Sequence, residues 1–111
     1  MDCIFCKISK KEIKSEIIFE DDLTICFKDL NPVAPIHFLI IPKIHIASTS
    51  EINEKNSDVL ARIFGNISKI ALKFCHNGYR VVSNTGVNAG QSVMHMHFHI
   101  LAGRELDWPP G

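Results

Sequence analysis

The sequence predicts an α+β fold: a five-stranded, mainly antiparallel sheet with one long helix and a short N-terminal helix. Three observations lead there. Two apolar runs meet at an Asp21-Asp22 turn with no helix between them, and one long stretch places apolar residues at three- and four-residue steps. A late segment, His95 to Leu101, alternates histidine with apolar residues. At 111 residues the chain fits a single domain spanning 1–111, large enough to bury a core without disulfide or metal staples.

The elements follow in order. Ile4 to Ile8 is a short helical turn. Ile17 to Glu20 and Leu23 to Lys28, both rich in β-branched and aromatic residues, form a hairpin around Asp21-Asp22. Asn31-Pro32 and Ala34-Pro35 break regular structure, because proline disfavours a helical residue before it, and His37 to Ile41 is then a third, mostly apolar strand stopped by Pro42. From Ser57, read as an N-cap, Val59, Leu60, Ile63, Phe64, Ile67, Ile70, Ala71 and Phe74 share one face of the long helix. Asn77-Gly78 ends it, Tyr79 to Ser83 is a fourth strand and the histidine segment a fifth. Between the last two lies Asn84 to Ser92, rich in residues that tolerate positive φ and offer backbone N–H groups. Such a loop is either a plain hairpin connection or a phosphate cradle that includes Gly90.

Half of the six histidines fall within five positions, 95 to 99. On a regular strand their rings would share one face over about 13 Å, with Met96, Phe98 and Ile100 anchoring the other. Imidazole alone combines nucleophile, general acid or base and metal ligand near neutral pH, so adjacent copies can divide the labour of attack and charge stabilisation at a phosphorus centre. Three such positions on a flat strand splay too far for one small ion whose nitrogens must come to about 2 Å.

Lysine plus arginine equals aspartate plus glutamate at twelve each. That balance lacks the basic footprint of a protein that tracks a nucleic-acid backbone, while leaving room for a small anionic ligand. The longest apolar run, Phe38 to Ile41, is far too short to span a bilayer, so no membrane partner is expected. The start of the chain shows no basic-then-apolar leader pattern, and a cytoplasmic protein is expected, with Cys3, Cys6, Cys26 and Cys75 as thiols or metal ligands. Cys3-x-x-Cys6 has the spacing of a zinc half-site. Its completion by His45 and His95 and its reading as two small buried thiols stand even on the residues alone.

His95-Met96-His97-Phe98-His99-Ile100-Leu101 resembles the signature of the histidine triad superfamily, three histidines separated by hydrophobic residues and followed by two more. Cys3 to Ile8, Ile18 to Asp22, His37 to Lys43 and Gly90 to Val93 look like that superfamily in the expected order, so the resemblance covers nearly the whole chain. Leu101 to Arg104 and Trp108 to Gly111 are similar to its purine nucleoside phosphoramidase branch.

The resemblance implies a homodimer whose two sheets join into one of ten strands, with Trp108 approaching the partner's site. It implies a hydrolase of purine nucleoside phosphoramidates or aminoacyl-adenylates that binds AMP-like nucleotides. His97 would attack the α-phosphorus and form a nucleotidyl-histidine, His99 and His37 would contact or orient phosphate, and His95 would be the remaining triad member. Ser92 would assist the leaving group, Gln91 would bind a phosphate oxygen with Asn84 nearby, Asp29 would hold the ribose hydroxyls, and Phe5, Phe27 and Leu30 would form the base pocket. Many members of that branch lack the first-motif cysteines; this chain keeps them, as do members with a structural zinc, whose ligands here would be Cys3, Cys6, His45 and His95. Dinucleoside polyphosphate hydrolysis is the alternative activity, and a nucleotide- or partner-binding module with incidental catalysis the alternative class.

Overall fold

A computed structural model of the chain describes residues 3–111. The element order is α1 (Ile4–Ser9), β1 (Ile17–Glu20), β2 (Thr24–Lys28), β3 (Ile36–Pro42), α2 (Asp58–Phe74), β4 (Arg80–Val82) and β5 (Phe98–Ala102), with single 3₁₀ turns at Thr49–Glu51 and Val87–Ala89. The five strands make one sheet in the order β1-β2-β3-β5-β4, every neighbouring pair antiparallel. The α+β expectation holds.

Alternation along the central strands divides the core into two layers. Cys26, Phe38, Ile40, Phe98, Ile100 and Ala102 face α2, meeting Val59, Ile63, Ile67, Ile70 and Ala71. Ile25, Phe27, Leu39 and Ile41 face the other way, toward Cys3, Phe5 and Ile8 around α1. The period of two therefore fixes where chemistry can sit: residues 97 and 99 are out of phase with Phe98 and Ile100 and so lie on the α1 side. Cys26, buried in the first layer, is a core thiol whose pKa burial pushes up to about 12.

A polar clasp ties α2 to the hairpin. Asn66, 1% exposed, donates to Asp21 Oδ2 at 2.8 Å and Thr24 Oγ1 at 2.9 Å. Arg62 Nη1 adds bonds to Asp21 Oδ2 and Asp22 Oδ1. Burial by itself raises the Asp21 carboxyl, but the bonds from Asn66 and from the Leu23 and Thr24 N–H groups outweigh it and hold it well below the usual carboxylate range.

Three sequence expectations are corrected. Ser57 makes no capping hydrogen bond and already has helical torsions; the chain turns earlier, where Asn53 Oδ1 accepts from Lys55 N–H and Asn53 N–H donates to Asn56 Oδ1. The third strand does not stop before Pro42 but includes it, opposite Thr24 on β2 and beyond the end of the pairing with β5 at Ile40, where no ladder partner awaits a residue 42 N–H. The fifth strand begins only at Phe98. His95 sits in a bend outside it, so the three histidines do not share one flat strand face. Among the described residues no helix is long and apolar enough to cross a membrane.

Candidate functional site

On the α1 side of the sheet is a cavity of about 270 Å³. Of the residues expected there, Phe5, Phe27, Asp29, Leu30, Ser92, His97 and His99 line it. Phe5 is the hinge of the wall: its ring meets Phe27 edge-on at 5.5 Å between centroids and His97 at 5.1 Å. The rest of the wall includes Ile4, Ile8 and Ile13, and the polar Lys14, Ser15, Lys28 and Asn31, none of which the sequence pattern singled out. The sequence signal for Lys14 and Ser15 is absent, since they belong to an irregular connection between α1 and β1.

The histidines differ in which ring nitrogen holds the proton, and the hydrogen bonds to backbone groups of fixed polarity assign each one. His97 Nδ1 lies 2.7 Å from the His95 carbonyl oxygen, so Nδ1 donates and Nε2 keeps its lone pair. Val33 N–H donates to His37 Nδ1 at 3.1 Å, which puts the proton of His37 on Nε2. His37 Nε2–H in turn donates to His99 Nδ1 at 2.8 Å, leaving His99 with an Nε2–H. The cavity wall thus carries one imidazole lone pair and, with ring centroids 5.2 Å apart, one imidazole N–H. Burial, and then the charges of His97 and His37, push the pKa of His99 down to about 4; burial also lowers His37, against the pull of Asp29. Both rings are neutral at neutral pH. Asp29 Oδ1 accepts the Asn31 N–H at 2.8 Å and its Oδ2 stands 3.4 Å from His37 Nε2, which fixes the carboxylate at the cavity edge. Ser83, missed in the sequence, donates from Oγ to the His97 carbonyl at 2.8 Å and continues the β4–β5 pairing past the end of the ladder.

The loop before the histidines is wired to itself. The N–H groups of Gly86, Ala89, Gly90 and Gln91 all bond within it, so they are not the open phosphate cradle the composition allowed. Gln91 is 4% exposed, and its amide donates to Ala47 and Val93 carbonyls while accepting from Gly86 N–H. That side chain braces the loop and has no hydrogen left for a phosphate oxygen. Gly90, at φ +95°, lies beside Asn84, where an added Cβ would meet Asn84 Nδ2 at 3.5 Å; neither is in the cavity wall. Ser92, the exposed end of the braced loop, is in it.

His95 turns away from the cavity. Its Nδ1 lies 3.3 Å from Cys3 Sγ, 3.5 Å from Cys6 Sγ and 3.2 Å from His45 Nδ1, while Cys6 Sγ is 3.3 Å from His45 Nδ1. A tetrahedral zinc site with Zn–S of about 2.3 Å and Zn–N of about 2.0–2.1 Å has sulfur–nitrogen and nitrogen–nitrogen edges of about 3.5 and 3.3 Å, which these four distances match, and all four donors lie within 4.8 Å of one another. His95 Nε2 donates to the Pro42 carbonyl at 2.9 Å, which leaves Nδ1 as a lone pair directed at the thiols. Asp29, His37 and His99 also converge within 4.8 Å. There the tautomers are wrong for a metal: Val33 N–H occupies His37 Nδ1, so the nitrogen facing the group carries a proton. Of the two clusters only the Cys/His one fits an ion.

The family model described as scavenger mRNA decapping enzyme C-term binding matches residues 2–106. A 14 kDa zinc-binding protein of Zea mays is 42% identical over 97% of this chain and 87% of that protein. The Adenylylsulfatase HINT1 of Arabidopsis thaliana is 40% identical over 97% of this chain and 76% of that protein. The fold superposes on a HIT family hydrolase from Legionella pneumophila Philadelphia 1 with a TM-score of 0.96 and 44% identity, over 99% of this chain and 100% of that one.

Proposed function

The chain belongs to the histidine triad (HIT) family, and from that premise we propose that it is a hydrolase of purine nucleoside phosphoramidates or aminoacyl-adenylates with His97 as nucleophile. The observation that carries the reading is the His97 tautomer: Nδ1–H is held by the His95 carbonyl, so in the neutral ring the nucleophilic lone pair is on Nε2, and the residue is part of the cavity wall.

In the first step the His97 Nε2 lone pair forms a bond to the α-phosphorus and the bond from phosphorus to the leaving nitrogen or oxygen breaks. A departing amine must leave protonated, and the Ser92 hydroxyl, also on the wall, relays that proton. The imidazolium character gained by His97 is stabilised through Nδ1–H at the His95 carbonyl. His99 Nε2–H donates to a non-bridging phosphate oxygen, its direction set by His37. In the second step water attacks phosphorus, the nitrogen–phosphorus bond to His97 breaks, and the nucleoside monophosphate and neutral His97 are released; the proton shed by that water passes to solvent and balances the one that the Ser92 hydroxyl, replenished from solvent, gave to the amine. Asp29 takes the ribose hydroxyls, and Phe5, Phe27 and Leu30 hold the base. Gln91 acts by bracing the loop that presents Ser92, and Asn84 and Gly90 stand near the phosphate.

Cys3, Cys6, His45 and His95 would hold a structural zinc; with four protein ligands it would supply no chemistry and would tie α1, with its Phe5 wall, to the histidine segment. The Zea mays relative's description as a zinc-binding protein supports this. A homodimer in which Trp108 reaches the partner's site completes the reading.

The Arabidopsis relative, an adenylylsulfatase, supports a second reading of the same phosphorus chemistry with sulfate as leaving group. The test is turnover of adenosine 5′-phosphoramidate, adenylyl sulfate and a dinucleoside polyphosphate by the intact chain and by His97→Ala. The highest kcat/KM is expected for the phosphoramidate, with loss of at least about 10³-fold in the variant. An unimpaired variant overturns the covalent mechanism, and tight nucleotide binding without turnover of any substrate would make the chain a binding module.

A further inference from the structure

The Ser15 hydroxyl oxygen is shut off from solvent and has no hydrogen-bond partner, alone in this among the side-chain nitrogens and oxygens of the described residues. Such a group loses its hydration without replacement, a cost that native structures almost always offset with a partner. Ser15 is also part of the cavity wall, and its hydroxyl, free of any partner, can turn about χ1. Lys14 lies next to it in the same wall and is exposed. Lys28, the other ammonium there, is paired with Glu16 at 2.8 Å. Segment 13–15 belongs to the α1–β1 connection, a different element from the one that carries His97, His99 and Ser92, and its Ile13 continues the apolar slot of Phe5 and Phe27.

Resting on the purine nucleotide reading above, we propose that Lys14 and Ser15 are the base-reading edge of this cavity and select a 6-oxopurine over a 6-aminopurine. A 6-oxopurine presents two adjacent acceptors, O6 and N7, and takes two donors side by side; a 6-aminopurine presents one acceptor and one donor. The Lys14 ammonium only donates and the Ser15 hydroxyl can donate, so the pair matches the former. Against an amino group, Lys14 Nζ meets a second donor, and only the serine can adapt.

Inosine and adenosine 5′-monophosphate differ at this edge and share ribose and phosphate, which makes them the comparison to use. Calorimetric titration of the intact chain is expected to give a Kd for inosine monophosphate about tenfold below that for adenosine monophosphate. Ser15→Ala is expected to bring the ratio below about threefold, chiefly by weakening inosine monophosphate, and Lys14→Met to narrow it, by weakening inosine monophosphate and relieving the donor–donor meeting with adenosine monophosphate. Ser15→Ala removes an unpartnered hydroxyl, so its melting temperature should equal or exceed that of the parent, which establishes that the variant is folded. Equal affinities in the parent, or a ratio unmoved by Ser15→Ala, overturn the base-reading proposal while leaving nucleotide binding intact. Absence of binding by either nucleotide overturns the nucleotide reading itself, and this proposal with it.

Discussion

The carbonyl oxygen of His95 accepts the Nδ1–H of His97 at 2.7 Å, and this single bond makes two neighbouring histidines chemically different. It is possible because the chain bends at His95 and enters the β5 ladder only at Phe98. The same bend turns the His95 ring back to Cys3, Cys6 and His45 and brings Met96 N–H to the Ile46 carbonyl at 2.6 Å. One local departure from strand geometry thus separates a metal-type imidazole from a nucleophile-type one.

The relay from Val33 N–H through His37 to His99 predicts a titration. Nitrogen-detected NMR of the histidine rings should show His99 neutral at pH 6 and titrating near pH 4, with Nε2 protonated. Its folded pKa lies below the ordinary value of about 6.5, so the unfolded chain takes up the proton first. The contribution to stability is therefore full above about pH 6.5 and is lost as pH falls toward 4. A His99 that titrates between pH 6 and 7 would contradict its burial against His97 and His37, and a ring protonated on Nδ1 would contradict the relay.

Ser92→Ala should discriminate among leaving groups. If the hydroxyl passes a proton to the departing amine, alkylamine phosphoramidates should slow by about 10²-fold, while substrates whose leaving group departs without protonation should slow little. A uniform loss across leaving groups would assign Ser92 to binding alone.

Metal analysis of the purified chain should give one zinc per chain, and Cys3→Ser should abolish stoichiometric binding and lower the melting temperature. Because Phe5 rides on the helix between the two cysteines, nucleotide affinity should fall in parallel. An intact chain without zinc would leave the cluster as two thiols and two imidazoles in contact.

Asn66→Ala should cost about 2–3 kcal/mol in denaturant unfolding, because Asp21 and Thr24 lose a buried donor. Released from that bond, Asp21 should titrate closer to ordinary carboxylates, so the variant should lose less stability than the parent as pH falls below the ordinary carboxylate range. Nucleotide hydrolysis by the folded variant should be unchanged, since the clasp lies between α2 and the hairpin.

What the sequence reveals and what it hides follow from range. Strands β1 to β4, α2 and the two-sided core are written in periods of two and 3.6, which depend on neighbours a few residues away. The Cys/His grouping was readable only as one of two open alternatives, because it joins residues 3, 6, 45 and 95. The bend at His95 has no periodic signature, as the histidine-apolar alternation continues straight through it. Bracing by Gln91 and Ser83 depends on carbonyls that only the folded chain brings near. The Ser15 hydroxyl is conspicuous only for the partner it lacks, which no sequence pattern records.

The nucleophile assignment is tested most directly by trapping the reaction of the intact chain with adenosine 5′-phosphoramidate in acid-free quench and mapping the adduct by peptide mass spectrometry. An adenylyl group on the His97 ring, appearing and decaying at rates that account for turnover and missing in His97→Ala, is the predicted result. Turnover at the full rate with the adduct on another residue, or with none formed, would contradict it.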